Sequence, residues 1–119
     1  MSPKSPSHRL GKEAEAYAAQ YLTEKGYIIR ARNYRFGKGE IDLIAEKDNF
    51  LFFVEVKVRT NLRFGYPEAF VTPKQEENYH EVATYYIEEQ KWKGNIRFDI
   101  IAITPKGKAW EIVHLKDAF

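Results

Sequence analysis

Two short segments hold the residues best suited to chemistry: Gly39-Glu40-Ile41-Asp42 and Val54-Glu55-Val56-Lys57-Val58-Arg59. Between them, Asp48-Asn49 joins two residue types that tolerate left-handed backbone angles, the requirement of a two-residue hairpin turn. With that turn, opposed residues have numbers that sum to 97, so Asp42 faces Glu55 and Glu40 faces Lys57. Opposed residues share a face of the sheet, and the expectation is that all four charges project to one side. Carboxylates so opposed have Cβ atoms about 4.5–5.5 Å apart and repel each other unless something neutralises them. A divalent cation would do so. Mg²⁺ binds oxygen at about 2.0–2.1 Å and takes one or two protein carboxylates plus water and substrate phosphate. Lys57 would then orient an attacking water or stabilise charge developing on phosphate. The chemistry sketched is phosphodiester hydrolysis.

A plainer reading also fits the spacing: Glu40, Asp42, Glu55, Lys57 and Arg59 could be the wet end of a sheet, with Lys57 as counter-ion. Against it, Ile44, Leu51 and Phe53 occupy the other end of the same face, so the carboxylates emerge at the rim of a covered surface. Glu15 falls beside Gly11 and Leu22 on a helical wheel, at the edge of an apolar stripe, and could look into a cleft that the helix borders. Most glutamates so placed are simply surface residues.

The elements that must position these groups follow from periodicity. Leu10, Ala14, Tyr17, Ala18, Tyr21 and Leu22 recur at helical spacing, with Gly26 as the stop. Strands are predicted over 27–34, 40–46 and 50–59, with Gly37 and Gly39 bracketing the first turn. Phe50-Leu51-Phe52-Phe53-Val54 is apolar on both faces, the pattern of a central strand covered by two layers. Residues 60–71 read as a loop. Thr72, Pro73 and Gln75 form a capping-box start for a second helix, whose stripe is Tyr79, Val82, Ala83, Tyr86 and Ile87 and whose end is set at Gly94-Asn95. Strands over 96–104 and 109–115 complete the order helix, three strands, helix, two strands. A crossover of that length allows a parallel neighbour for the third strand. The expected class is therefore α/β, a mixed sheet of about five strands flanked by helices.

At 119 residues the chain suits one domain, over 10–119, behind a flexible Pro- and Ser-rich tail over 1–9. No apolar run approaches the ~18 residues of a membrane helix, and the opening residues lack the apolar stretch of a secretory signal, which together point to the cytoplasm. The absence of cysteine excludes disulfides, thiolate metal sites and cysteine nucleophiles. A net charge of +2 identifies no partner, but its distribution is uneven: residues 1–38 carry eight Lys/Arg against three acids, while 76–89 carry five acids and no base. One face could be basic, or both segments could be solvated surface. His8, His80 and His114 share no spacing and receive no role.

At these residues the chain resembles the PD-(D/E)XK nuclease superfamily, and more closely the small bacterial YraN-like family related to archaeal Holliday-junction resolvases. The resemblance spans Leu10 to about Ala102. It rests on the pattern around Glu15, Asn33-Tyr34-Arg35, Gly39 to Ala45, Phe53 to Arg59, Phe64-Gly65 with Pro67, Lys74, and Arg97-Phe98-Asp99. Ile41 stands where the superfamily's nominal proline would be, as is usual in this branch. The resemblance implies a restriction-endonuclease-like fold, with Asp42 and Glu55 as metal ligands, Lys57 as catalytic lysine and Glu15 as an accessory acid. It also matches Lys74 to a position at the start of the second helix, where a cation could meet phosphate. The expected function is a Mg²⁺- or Mn²⁺-dependent endonuclease on DNA, branched or otherwise structured, with Arg35, Lys38, Arg59, Arg63 and Lys74 on phosphates. Tyr66 and Phe64 could stack on an unpaired base or belong to the core. The rival expectation is a non-catalytic nucleic-acid-binding module that keeps the fold. Two-fold substrates would make a homodimer reasonable.

Overall fold

The computed structural model describes residues 6–59 and 71–119, with side chains from Arg9 onward. The element order is α1 (Pro6–Glu24), β1 (Ile28–Phe36), β2 (Gly39–Lys47), β3 (Phe50–Val58), α2 (Pro73–Gln90), β4 (Asn95–Lys106) and β5 (Ala109–Leu115). The five strands form one mixed sheet in the order β1-β2-β3-β4-β5, so β3 is central. This is the α/β arrangement expected from the sequence. No helix among the described residues is long and apolar enough to cross a membrane.

Helix α1 begins at Pro6, ahead of the apolar repeat from Leu10, and a proline suits a first turn whose N–H groups lack helical partners anyway. Its covered stripe is Ala14, Ala18, Ala19 and Leu22; Tyr17 stays exposed at the edge. These small side chains let the helix lie close over Leu43, Ala45, Phe52, Val54, Ile101 and Ile103. The opposite face of the sheet is covered by α2, where Tyr79, Val82, Ala83 and Tyr86 meet Ile41, Ile44, Leu51, Phe53 and Phe98. Gly39 fixes that closeness, since a Cβ there would stand 2.6 Å from the Val82 side chain and 2.7 Å from the Asn78 carbonyl.

Both ends of α2 are explicit. Thr72 accepts from the Gln75 N–H at 3.1 Å, and Gln75 Oε1 accepts from the Thr72 N–H at 2.9 Å, a complete capping box. The C-terminus differs from the expected Gly94-Asn95 stop: the helix ends at Gln90, and Lys91 takes the left-handed cap at φ 53°. Its N–H returns to the last-turn carbonyls, which offsets the strain of a side chain in that region.

Antiparallel pairing of β2 and β3 runs from Lys47↔Phe50 to Leu43↔Val54, the predicted register, around Asp48 and Asn49 at φ 51° and 66°. β3 and β4 are parallel over nine rungs, from Phe50↔Asn95 to Val58↔Ile103.

One polar cluster is buried on the α1 side. Asp99, fully buried, accepts from Arg97 Nε and Nη2 at 2.8 and 2.9 Å and from the Asp117 N–H at 2.9 Å, and lies 2.8 Å from His114 Nε2. The other ring nitrogen of His114 meets the Tyr21 hydroxyl at 3.2 Å. Burial by itself would raise the Asp99 pKa, but the hydrogen bonds from His114, Arg97 and Asp117 outweigh it and hold it down at about 2. A depressed carboxylate stabilises the fold above its unfolded pKa near 4, and that stabilisation disappears as pH falls toward 2. Asp99→Asn should therefore cost about 3–5 kcal/mol at pH 7 by urea unfolding and flatten the acid limb of the stability profile between pH 4 and 2. A loss below about 1 kcal/mol would show that the cluster contributes little.

Candidate metal centre

The recorded β2–β3 ladder stops at Leu43↔Val54, and the site begins where it stops. Here the Val56 N–H donates not to a strand carbonyl but to Asp42 Oδ2, at 2.8 Å. Alternation also breaks at this point. Ile41 and Ile44, three apart, both join the α2 core, while Leu43 and Ala45 join the α1 core. Gly39 and Ile41 thus face α2 together, and Glu40 between them points the other way, where Arg35 Nη2 lies 3.5 Å from its carboxylate. The regular register put Glu40 opposite Lys57 on the site face; the break at Asp42 removes it, leaving three charges of the expected four.

Those three stand together. Val56 and Val58 pack with the α1 core, so Glu55 and Lys57 share the opposite face, and their charged atoms are 3.6 Å apart. Both side chains are largely covered, at 14% and 17% exposure. Asp42 and Glu55 are close enough to share a hydrogen bond between carboxyl groups. Burial, then the charge of Glu55, pushes Asp42 up to about 8 against the help of the Val56 N–H; the charge of Glu15 adds to the rise. Glu55 is also raised, by burial first, with the Lys57 ammonium opposing. A proton is therefore retained by the pair at neutral pH.

Glu15 reaches the same electrostatic neighbourhood from α1. It is half-buried, lies 3.6 Å from Lys12 Nζ, and accepts from Asn33 Nδ2 at 3.1 Å. Gly11, one turn earlier, has open space where a side chain would stand. Among the described residues no three His, Cys, Asp or Glu side chains enclose a metal position. What the site offers is a carboxylate pair, with water and a phosphate left to complete the shell, which is the usual manner of Mg²⁺.

Arg35 is bound to Glu40, Lys74 lies 3.6 Å from Glu77 on the surface, and Lys38 is exposed in the β1–β2 turn. Arg59 is half-buried and donates from Nη1 to the Val58 carbonyl at 3.3 Å. Arg63, Phe64 and Tyr66 lie outside the described residues. Two groups that touch Glu15 were given no role from sequence, Lys12 and Asn33. Two signals pointed to the asparagine: it lies inside a strand, which disfavours that residue type, and in the Asn33-Tyr34-Arg35 segment of the resemblance.

The raised Asp42 pKa has a testable sign. The folded chain binds more protons than the unfolded one between pH 4 and 8, so stability falls as pH rises across that window. Asp42→Asn keeps an acceptor for the Val56 N–H and removes the charge. In EDTA it should be more stable than wild type by about 2–4 kcal/mol at pH 8, with the gap closing toward pH 4. A gap equal at both ends of the range would mean that the carboxylates do not share a proton.

The profile of the family described as "Uncharacterised protein family UPF0102" matches residues 14–103, the span that carries Glu15, Asp42, Glu55 and Lys57. Among similar chains, the UPF0102 protein of Cytophaga hutchinsonii is 46% identical over 90% of this chain and 92% of its own length. That of Christiangramia forsetii is 42% identical over 94% of both, and that of Thermodesulfovibrio yellowstonii 43% identical over 92% and 95%. On this agreement over nearly its whole length, the chain belongs to UPF0102, the YraN-like family.

Proposed function

We propose that the protein is a metal-dependent nuclease acting on DNA, with Asp42 and Glu55 holding Mg²⁺ or Mn²⁺. One observation carries this reading: two partly buried carboxylates lie against each other, with the Lys57 ammonium 3.6 Å from one of them. Left to themselves they retain a proton, and a divalent cation answers the same deficit of positive charge. The donors are hard oxygens, which suits Mg²⁺ and Mn²⁺ over softer metals. Bound there, the ion would act as a Lewis acid on phosphate and lower the pKa of a coordinated water.

The chain's own residues supply the rest. Lys57, whose ammonium lies 3.6 Å from Glu55, is placed to orient the water and to meet charge that grows on the phosphate oxygens. The Val56 N–H fixes one Asp42 oxygen, which leaves the other free to ligate. Glu15 is the accessory acid, bordering the site from α1. Exposed Lys38 and Arg35 on the β1–β2 hairpin would contribute non-specific phosphate contacts. Branched or otherwise structured DNA is the substrate class suggested by the resemblance to junction resolvases.

Two measurements test this. Calorimetric titration with Mn²⁺ at pH 7 should release about one proton per ion, lost in Asp42→Asn. Incubation with linear, nicked, flapped and four-way DNA should give Mn²⁺-dependent cleavage that Asp42→Ala and Glu55→Ala abolish. Lys57→Met should bind the ion but cut about 10²–10³-fold more slowly. Salt-sensitive DNA binding with no cleavage under any metal would favour the non-catalytic module, and neither binding nor cleavage would end the reading.

A further inference from the structure

We infer that Asn33 is the positioning residue of this centre, set beside Asp42 by a left-handed backbone so that its carboxamide anchors the Glu15 carboxylate at the site. The inference rests on the metal-centre reading and deepens it. In the β1–β2 ladder Arg32 pairs with Leu43 and Tyr34 with Ile41, which puts Asn33 across from Asp42; that rung is missing from the paired series. Asn33 has φ 50° in the middle of a strand whose neighbours are extended. A backbone turned this way re-aims the side chain away from the plain alternation of the strand. Asp42 is therefore flanked by Asn33 on β1 and by Glu55 on β3.

The side chain is specified as tightly as the backbone. Nδ2 donates to Glu15 Oε1 at 3.1 Å, and Oδ1 accepts from Lys12 Nζ at 3.1 Å. A carboxamide donates from its nitrogen to the carboxylate and accepts at its oxygen from the ammonium, two separate atoms where a hydroxyl has one. Aspartate would tolerate the backbone but repel Glu15. Glycine would keep the backbone and lose both bonds. Glutamine keeps the chemistry but lacks asparagine's tolerance for the left-handed region. Lys12 closes the set 3.6 Å from Glu15, so two side chains, one from β1 and one from α1 itself, hold one carboxylate in place.

Asn33→Gly separates the two requirements, because the backbone state survives and the anchor does not. With the DNA panel and Mn²⁺, it should lower kcat about tenfold with KM little changed and thermal stability near wild type. In a Glu15→Gln background the same change should have no further effect; an equal loss in both backgrounds, or no loss in either, overturns the inference. Lys12→Met, an exposed substitution, should give a smaller loss of the same kind, and serves if Asn33→Gly does not fold; full activity in Lys12→Met would then count against the inference. A crystal structure of metal-free Asn33→Gly, or of Lys12→Met in that event, gives a readout independent of activity. Glu15 should be found turned toward solvent, and an unmoved carboxylate refutes the role of Asn33. If no variant and no wild-type protein binds Mn²⁺, the metal-centre reading fails by itself, and the position of Glu15 still decides the anchoring claim.

Discussion

Near the end of the central strand a backbone donor changes partner: the Val56 N–H leaves the β2 ladder for the carboxylate of Asp42. Sheets depend on paired backbone groups, and an unpaired buried N–H costs as much as a lost hydrogen bond. A side chain that takes over this duty can end a ladder without that cost. β3 continues to Val58 because β4 holds its other edge in parallel register. The combination lets two strands part at one side while the sheet stays intact, and it is at that parting that Asp42, Glu55 and Lys57 meet.

Two aspartates of the sheet, Asp99 buried and Asp42 partly buried, show opposite treatments of the same group. Asp99 is surrounded by donors from three directions and is held ionised down to a pH of about 2. Its negative charge is fully answered, so nothing remains for a ligand to do. Asp42 receives one backbone N–H and faces another carboxylate, and its pKa is pushed up to about 8. Burial without compensation is expensive, and proteins keep it mainly where the missing charge arrives from outside. The contrast separates an acid whose charge is compensated from one whose charge is not, by environment alone.

Much of this was legible beforehand, for local reasons. Asp48-Asn49 fixed the hairpin register because few dipeptides accept two left-handed residues, and Thr72-Pro73-Gln75 announced its helix because capping chemistry is short-range. The doubly apolar Phe50 to Val54 run marked the central strand. What stayed hidden was non-local. The alternation break at Asp42 is set by a side-chain-to-backbone bond across strands, which a pattern of period two cannot foresee, and so Glu40 was placed on the wrong face. The left-handed cap at Lys91 has no glycine to advertise it. Asp99 sits in an apolar run, and its partners come from β4 itself, from β5 and from the segment after it. His114, unassigned from sequence, proved to be one of them.

The parallel pairing of β3 with β4 also favours one order of assembly over another. The β2–β3 hairpin closes over two residues, whereas β4 must be brought back across more than forty, and contacts so far apart in the chain form late. Asp42 and Glu55 are thus brought together while the hairpin is still hydrated, when water screens their repulsion. Desolvation follows only when the distant strand docks and the two helices cover the sheet. The electrostatic strain of the finished centre is imposed in the closing stage of folding, after the cooperative core that can bear it has begun to form.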